Sequence, residues 1–196
     1  MAVDDEPTTG ERTSGLTYLL VDGENIDATL GVSVLGRRPT PDERPRWDRV
    51  RDFAQTVWQQ PVKALFFLNA SSGNMPMAFV QALLAIGYRP IALSGAAGQK
   101  VVDIAIQRTL EELRSREAEV LLVSNDGDFV DQVEDLLDGR RVGLVGFTEF
   151  RNRDFVELAE DGLEMFDLEY DVQAFNARLP RVRIIPIEEF EPADFL

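Results

Sequence analysis

The chain has 196 residues, 44% hydrophobic and 28% charged, enough for one domain with a buried core and flanking tails. Twenty Lys and Arg stand against 35 Asp and Glu, a net charge of -15, which speaks against a bulk nucleic-acid coat. With no Cys and no His, disulfides, thiolate nucleophiles, Cys/His zinc sites and histidine acid–base chemistry are excluded, leaving carboxylates, Lys, hydroxyls or a metal held by oxygen.

Residues 1–16 are polar and acidic without apolar periodicity, and are read as a disordered tail rather than a signal peptide. Leu16 to Val21 is a short apolar run of the kind a buried parallel strand shows, ending in Asp22-Gly23-Glu24-Asn25. Gly31 to Pro45 reads as loop. Trp47, Val50, Phe53, Ala54, Val57 and Trp58 recur at helical spacing until Pro61. Val62 to Leu68 is a second strand, Met77 to Ile86 a helix stopped by Gly87, and Tyr88 to Leu93 a third strand. After the Gly95–Gly98 loop, Val102, Ile106, Leu110 and Leu113 form a stripe that predicts a helix over 100–116. Val120 to Val123 is a fourth strand, followed by Ser124-Asn125-Asp126-Gly127-Asp128 and a helix from Phe129 with Asp128 as its N-cap. Arg141 to Phe147 is a fifth strand.

This alternation predicts an α/β fold, a three-layer Rossmann-like sandwich with a mainly parallel central sheet over residues 17–150. Residues 151–196 form an acidic C-terminal extension, partly packed on the domain, with a helix and a strand in 151–175. The Arg–apolar alternation of 180–187 reads as an edge strand or arm. No apolar run reaches the roughly 18 residues of a membrane span, so the cytoplasm is the default address.

In an open parallel sheet, ligands bind beyond the C-terminal strand ends. Asp22 follows the first strand, Asp126 and Asp128 follow the fourth, and Asp103 lies early in the helix entered from the glycine loop. Carboxylates that converge cannot all stay ionised without a counter-charge, and Mg²⁺ or Mn²⁺ is the cation suited to such oxygen ligands. Each aspartate also has a plain structural use as a turn, cap or helix-dipole partner. Arg37, Arg38, Arg44, Arg46, Arg49 and Arg51 make a local basic stretch, interleaved with Asp42, Glu43 and Asp48. It either steers phosphates toward the crevice, with Trp47 as a stacking face, or pairs with its own acids while Trp47 packs inward.

The blocks LLVDGENI (19–26), KVVDIAI (100–106) and LVSNDGDF (122–129) resemble, in order and spacing, the signature blocks of the NYN domain, a branch of the PIN-like metal-dependent nucleases, near its LabA-like subgroup. The resemblance covers 17 to about 150. It implies hydrolysis of RNA phosphodiesters, of endoribonuclease type, with Mg²⁺ or Mn²⁺. By motif, Asp22, Asp103, Asp126 and Asp128 would hold the metal, and Asn25 would orient a ligand or water. Ser124 would support the aspartates and Lys100 would border the site; together with Arg37 and Arg38 they are the candidate substrate contacts. Asn125 stands where the block more often has a small residue. An alternative is a non-catalytic regulatory or scaffold protein acting through 151–196, by binding another protein or a second copy. Haloacid-dehalogenase, receiver and Toprim sites fit less well: Glu24 replaces the second Asp of the first, no Lys follows the fifth strand for the second, and Asp22 replaces the usual Glu of the third.

Overall fold

The computed structural model describes residues 15–182, 185–194 and 196; the expected N-terminal tail falls almost wholly outside the described residues. Six strands, β1 (Thr17–Asp22), β2 (Val62–Asn69), β3 (Tyr88–Leu93), β4 (Glu119–Val123), β5 (Val142–Gly146) and β6 (Glu164–Asp167), form one sheet in the order β3-β2-β1-β4-β5-β6. Every pairing is parallel. The helices are α1 (Gly23–Ala28), α2 (Trp47–Val57), α3 (Met77–Ala85), α4 (Val101–Leu113), α5 (Val130–Glu134) and α6 (Arg153–Glu157).

Side chains along a strand alternate between faces, and this sheet is apolar on both. Leu19, Val21, Phe66, Leu121, Val123 and Val145 pack with Ile26, Trp47, Ala54 and Leu83 of α1–α3. Leu20, Phe67, Leu122 and Leu144 pack with Ile106, Leu110, Phe129, Val133 and Phe155 on the α4–α6 side. The result is the expected three-layer sandwich. Leu110 has no exposed surface, so Leu110→Ala removes stability on the order of 2–5 kcal/mol.

Three segments differ from the sequence reading. α1 runs on as a π-helical stretch, Thr29–Leu35, which from Gly31 onward falls in the span expected to be loop. Gly31 looks like a breaker, yet it serves a close approach: a Cβ there would stand 3.1 Å from the Pro39 ring and 3.2 Å from the Arg37 carbonyl oxygen. Leu30, one position earlier, is fully buried and anchors the stretch. After β4, a 3-10 turn (Gly127–Phe129) precedes a short α5, and its cap is Asp126, not Asp128. The helix expected over 100–116 stops at Leu113. The helix and strand expected in 151–175 are α6 and β6, and β6 closes the sheet beside β5. Of the 180–187 arm, residues 183 and 184 lie outside the described residues; the others form no strand.

Candidate metal centre

Strand order reverses between β1 and β4, because the chain leaves β1 toward β2 and β3 and then returns to β4 on the other side. That switch point opens a crevice at the C-terminal strand ends. Val21 pairs with Val123 there, so the next residues of each strand, Asp22 and Ser124, emerge side by side. By the two-residue alternation Asp22 shares a face with Leu20, the face that α4 covers. Asp103, in the first turn of α4, thereby meets it. Asp126 arrives from the loop after β4. One carboxylate oxygen from each of Asp22, Asp103 and Asp126 lies within 4.8 Å of the others.

Hydrogen bonds fix these carboxylates. Asp22 caps α1, its Oδ1 accepting from the Asn25 N–H at 3.1 Å. Its Oδ2 accepts from the Ser124 hydroxyl at 3.1 Å, and the same Ser124 oxygen accepts from the Asp126 N–H at 3.1 Å. Ser124 is fully buried, so its hydroxyl joins two aspartates and faces no solvent. The Asn25 side-chain oxygen accepts from the Asn125 N–H at 2.8 Å, stitching α1 to the loop after β4. Asp126 Oδ1 accepts from the Asp128 N–H at 3.0 Å.

Asp128 stands apart from the group of three. Its side chain is half exposed and receives the Lys100 ammonium at 2.9 Å, while Lys100 also lies 3.2 Å from Asp103 Oδ2. The two carboxylates, Asp128 foremost, hold that ammonium above the ordinary lysine value.

Burial dominates at Asp22 and pushes its carboxyl up to about 6. The Asn25 and Ser124 bonds work against the rise; the negative charges of Asp103 and Asp126 add to it. A buried carboxylate beside two others is a group that lacks a counter-charge. Three hard oxygen donors from three elements fit a divalent cation such as Mg²⁺ or Mn²⁺.

Two further residues were not singled out from the sequence as parts of the site. Asn125 clamps the end of β5 through both ends of its carboxamide: Nδ2 donates to the Phe147 carbonyl at 2.9 Å and Oδ1 accepts from the Phe147 N–H at 3.0 Å. The larger residue at this position is therefore a lock between neighbouring strand ends. Asn152, the N-cap of α6, packs so closely on Gly127 that a Cβ there would lie 2.0 Å from its amide nitrogen. The sequence signal for Asn125 is an amide where the block more often has a small residue; for Asn152 there is none.

The basic stretch is mostly neutralised. Arg37 pairs with Glu43, Arg44 with Asp27, and Arg46 with Asp48. Arg49 donates to the carbonyls of Gln173 and Phe175. Arg38 is exposed and has no ion pair among the described residues; with Arg37 it lines an open groove of about 420 Å³ beside α1. Trp47 is buried edge-on against Phe66, ring centroids 5.0 Å apart, so it offers no stacking face.

A doubly wound parallel sheet with three aspartates gathered at its switch point defines a Rossmann-like α/β domain of PIN type, with a donor set that suits a hard cation. The chain belongs to the NYN domain family, which matches residues 16–164. A solved structure of a protein of unknown function from Vibrio parahaemolyticus has the same fold, with a TM-score of 0.63 at 20% identity over 80% of this chain and 94% of that one. No curated protein matches the chain in sequence. No helix among the described residues is long and apolar enough to cross a membrane.

Proposed function

We propose that the protein is a metal-dependent ribonuclease of the LabA-like branch, cutting RNA phosphodiesters from the cytoplasm. The observation that carries this reading is the convergence of Asp22, Asp103 and Asp126 at the switch point of an NYN domain. These three would hold the ion. A bound Mg²⁺ or Mn²⁺ would supply charge neutralisation, an activated water and stabilisation of the charge that builds at phosphorus. Ser124 and Asn25 keep the carboxylates of Asp22 and Asp126 aimed at one point, which limits the reorganisation the site needs. Lys100 sets a positive charge on the rim where a phosphate would approach, with Asp128 orienting it. Arg38, and Arg37 where it is not held by Glu43, would take the flanking backbone.

Asp126→Asn tests the reading. Asn caps as well as Asp, so the turn at Asp128 survives and the circular dichroism spectrum stays native. Mn²⁺-dependent cleavage of single-stranded and structured RNA should fall by at least about a hundredfold, the scale of losing one electrostatic contributor. A wild-type protein that binds Mn²⁺ but cleaves no member of a broad RNA panel would sink the activity.

A second reading, a regulatory protein that docks through its C-terminal segment, is favoured by two large apolar side chains left in solvent, Val182 at 86% exposure and Ile187 at 77%. A pull-down with 182–196 deleted separates the two: partners lost with cleavage unchanged assigns docking to that segment.

A further inference from the structure

The group of three aspartates has a positively charged neighbour. Asp103 belongs to it, yet its Oδ2 also faces the Lys100 ammonium at 3.2 Å, and that ammonium reaches Asp128 Oδ2 at 2.9 Å. Asp103 is thus shared between two places that call for positive charge: the point common to Asp22, Asp103 and Asp126, and the point between Asp103 and Asp128. A carboxylate shared in this way is what two-cation phosphoryl-transfer sites use to hold ions about 4 Å apart. Here the second place already contains a cation that is part of the chain.

Resting on the ribonuclease reading, we propose that Lys100 fills the second cation position with its own ammonium, so that the site takes one divalent ion and not two. The local structure supports a fixed placement. Lys100 is the N-cap residue of α4, three positions before Asp103, so its stem leaves the helix start on the side where Asp103 lies. Asp128 is anchored from behind: the Asp126 side chain accepts from its N–H, and Gln107 of α4 donates to its carbonyl at 2.9 Å. Both partners of the ammonium are therefore held by α4 or by the loop after β4, the elements that also carry two of the three aspartates. An ammonium is a compact point charge with three donors, suited to two carboxylates with one donor to spare. Lys100 would there stabilise the oxygen that leaves phosphorus, the part the second ion plays in a two-metal site. The single remaining ion belongs to the more buried place, where Asp22 lies.

Calorimetric titration of the whole chain with Mn²⁺ alone, needing no RNA, tests this. Wild type and Lys100→Arg, which keeps the charge, should each take up one ion per chain. Lys100→Met, which keeps the stem and removes the charge, should take up two, the second more weakly. Lys100 is exposed, so all three proteins should fold alike by circular dichroism. Two ions in the wild type would overturn the proposal and leave the metal site standing. One ion in both wild type and Lys100→Met, whatever the change in affinity, would also overturn it, because Lys100 would then only modulate the first ion. No ion in the wild type would remove the metal-site reading and this proposal with it.

Discussion

Asp22 carries opposing demands. It ends a buried strand, caps α1 and sits almost without solvent, at 2% exposure, next to two other carboxylates. Its carboxyl is pushed from 3.8 to about 6, mainly by burial. A carboxyl raised in this way favours the fold while it is protonated: the contribution is complete below about pH 3.8 and is lost as pH rises through about 6. Metal-free protein at neutral pH therefore holds a buried charge that Asp22→Asn does not. The variant should be the more stable of the two near pH 7.5, by on the order of 3 kcal/mol at roughly 1.4 kcal/mol per unit, and the gap should close toward pH 4. Saturating Mn²⁺ should reverse the order, since only the wild type gains the ion. Within the wild type, Mn²⁺ affinity should weaken about tenfold per unit of pH below about 6, where Asp22 takes up its proton. Thermal melts across pH, with and without Mn²⁺, read all three effects; a gap that does not change with pH would show that Asp22 is ionised normally.

At the scale of elements, the segment after β6 is part of the core. Leu168, Val172, Ala174, Phe175 and Leu179 join the α1–α3 side of the sandwich, and the Ala174 carbonyl accepts from the Arg46 N–H at the start of α2. Arg181, 3% exposed, fastens it. Its guanidinium meets Glu149, Asp167 at 2.7 Å and Glu169 at 3.3 Å, and lies over the rings of Phe147 and Tyr170. Burial works to raise the Asp167 carboxyl, but Arg181 and Thr148 hold it well below the usual range. Arg181→Ala should lower the unfolding free energy in urea by about 3–5 kcal/mol, the cost of stranding buried carboxylates. Arg153→Ala, which breaks a solvated pair with Glu157, should change it by less than about 0.5 kcal/mol. Equal losses would mean that the fastening is only apparent. Arg181 was not legible in the sequence because its partners lie 12 to 32 positions away and its neighbours alternate like an edge strand. The central strands were legible because a parallel sheet buried on both faces needs short continuous apolar runs, and β1, β2, β4 and β5 each have one, whereas the edge strand β3 includes Arg89 and is only partly buried. The helical stretch 29–35 was not, since Gly31 marks a close contact there and not a turn. In Asp-Gly-Asp, two carboxylates have equal local claims to the cap. What decides for Asp126 is that its N–H is held by Ser124, a residue whose hydroxyl reaches across to another strand.

For the molecule as a whole, the question is how a chain at -15 would approach a polyanion. Residues 17–150 hold 19 acids and 14 bases, a net of -5; the flanks hold the remaining -10. Steering of a phosphate backbone thus depends less on the crevice than on the charge carried around it. Residues 186–196 contain Glu188, Glu189, Glu191 and Asp194 and no Lys or Arg, so their removal takes the chain from -15 to -11. Described side chains from Ile187 through Ala193 are exposed, so the core should survive the deletion with unchanged melting behaviour. Under the ribonuclease reading the shortened chain should bind RNA severalfold more tightly near 50 mM salt. The difference should shrink as salt shortens the screening length from about 14 Å to about 3 Å at 1 M. Turnover at saturating RNA should stay the same, because no aspartate of the crevice is touched. Fluorescence anisotropy with a labelled RNA across a salt series separates the alternatives. Tighter binding that salt erases marks the segment as an electrostatic shield, whereas weaker binding at every salt concentration would mean that its apolar side chains hold the RNA directly.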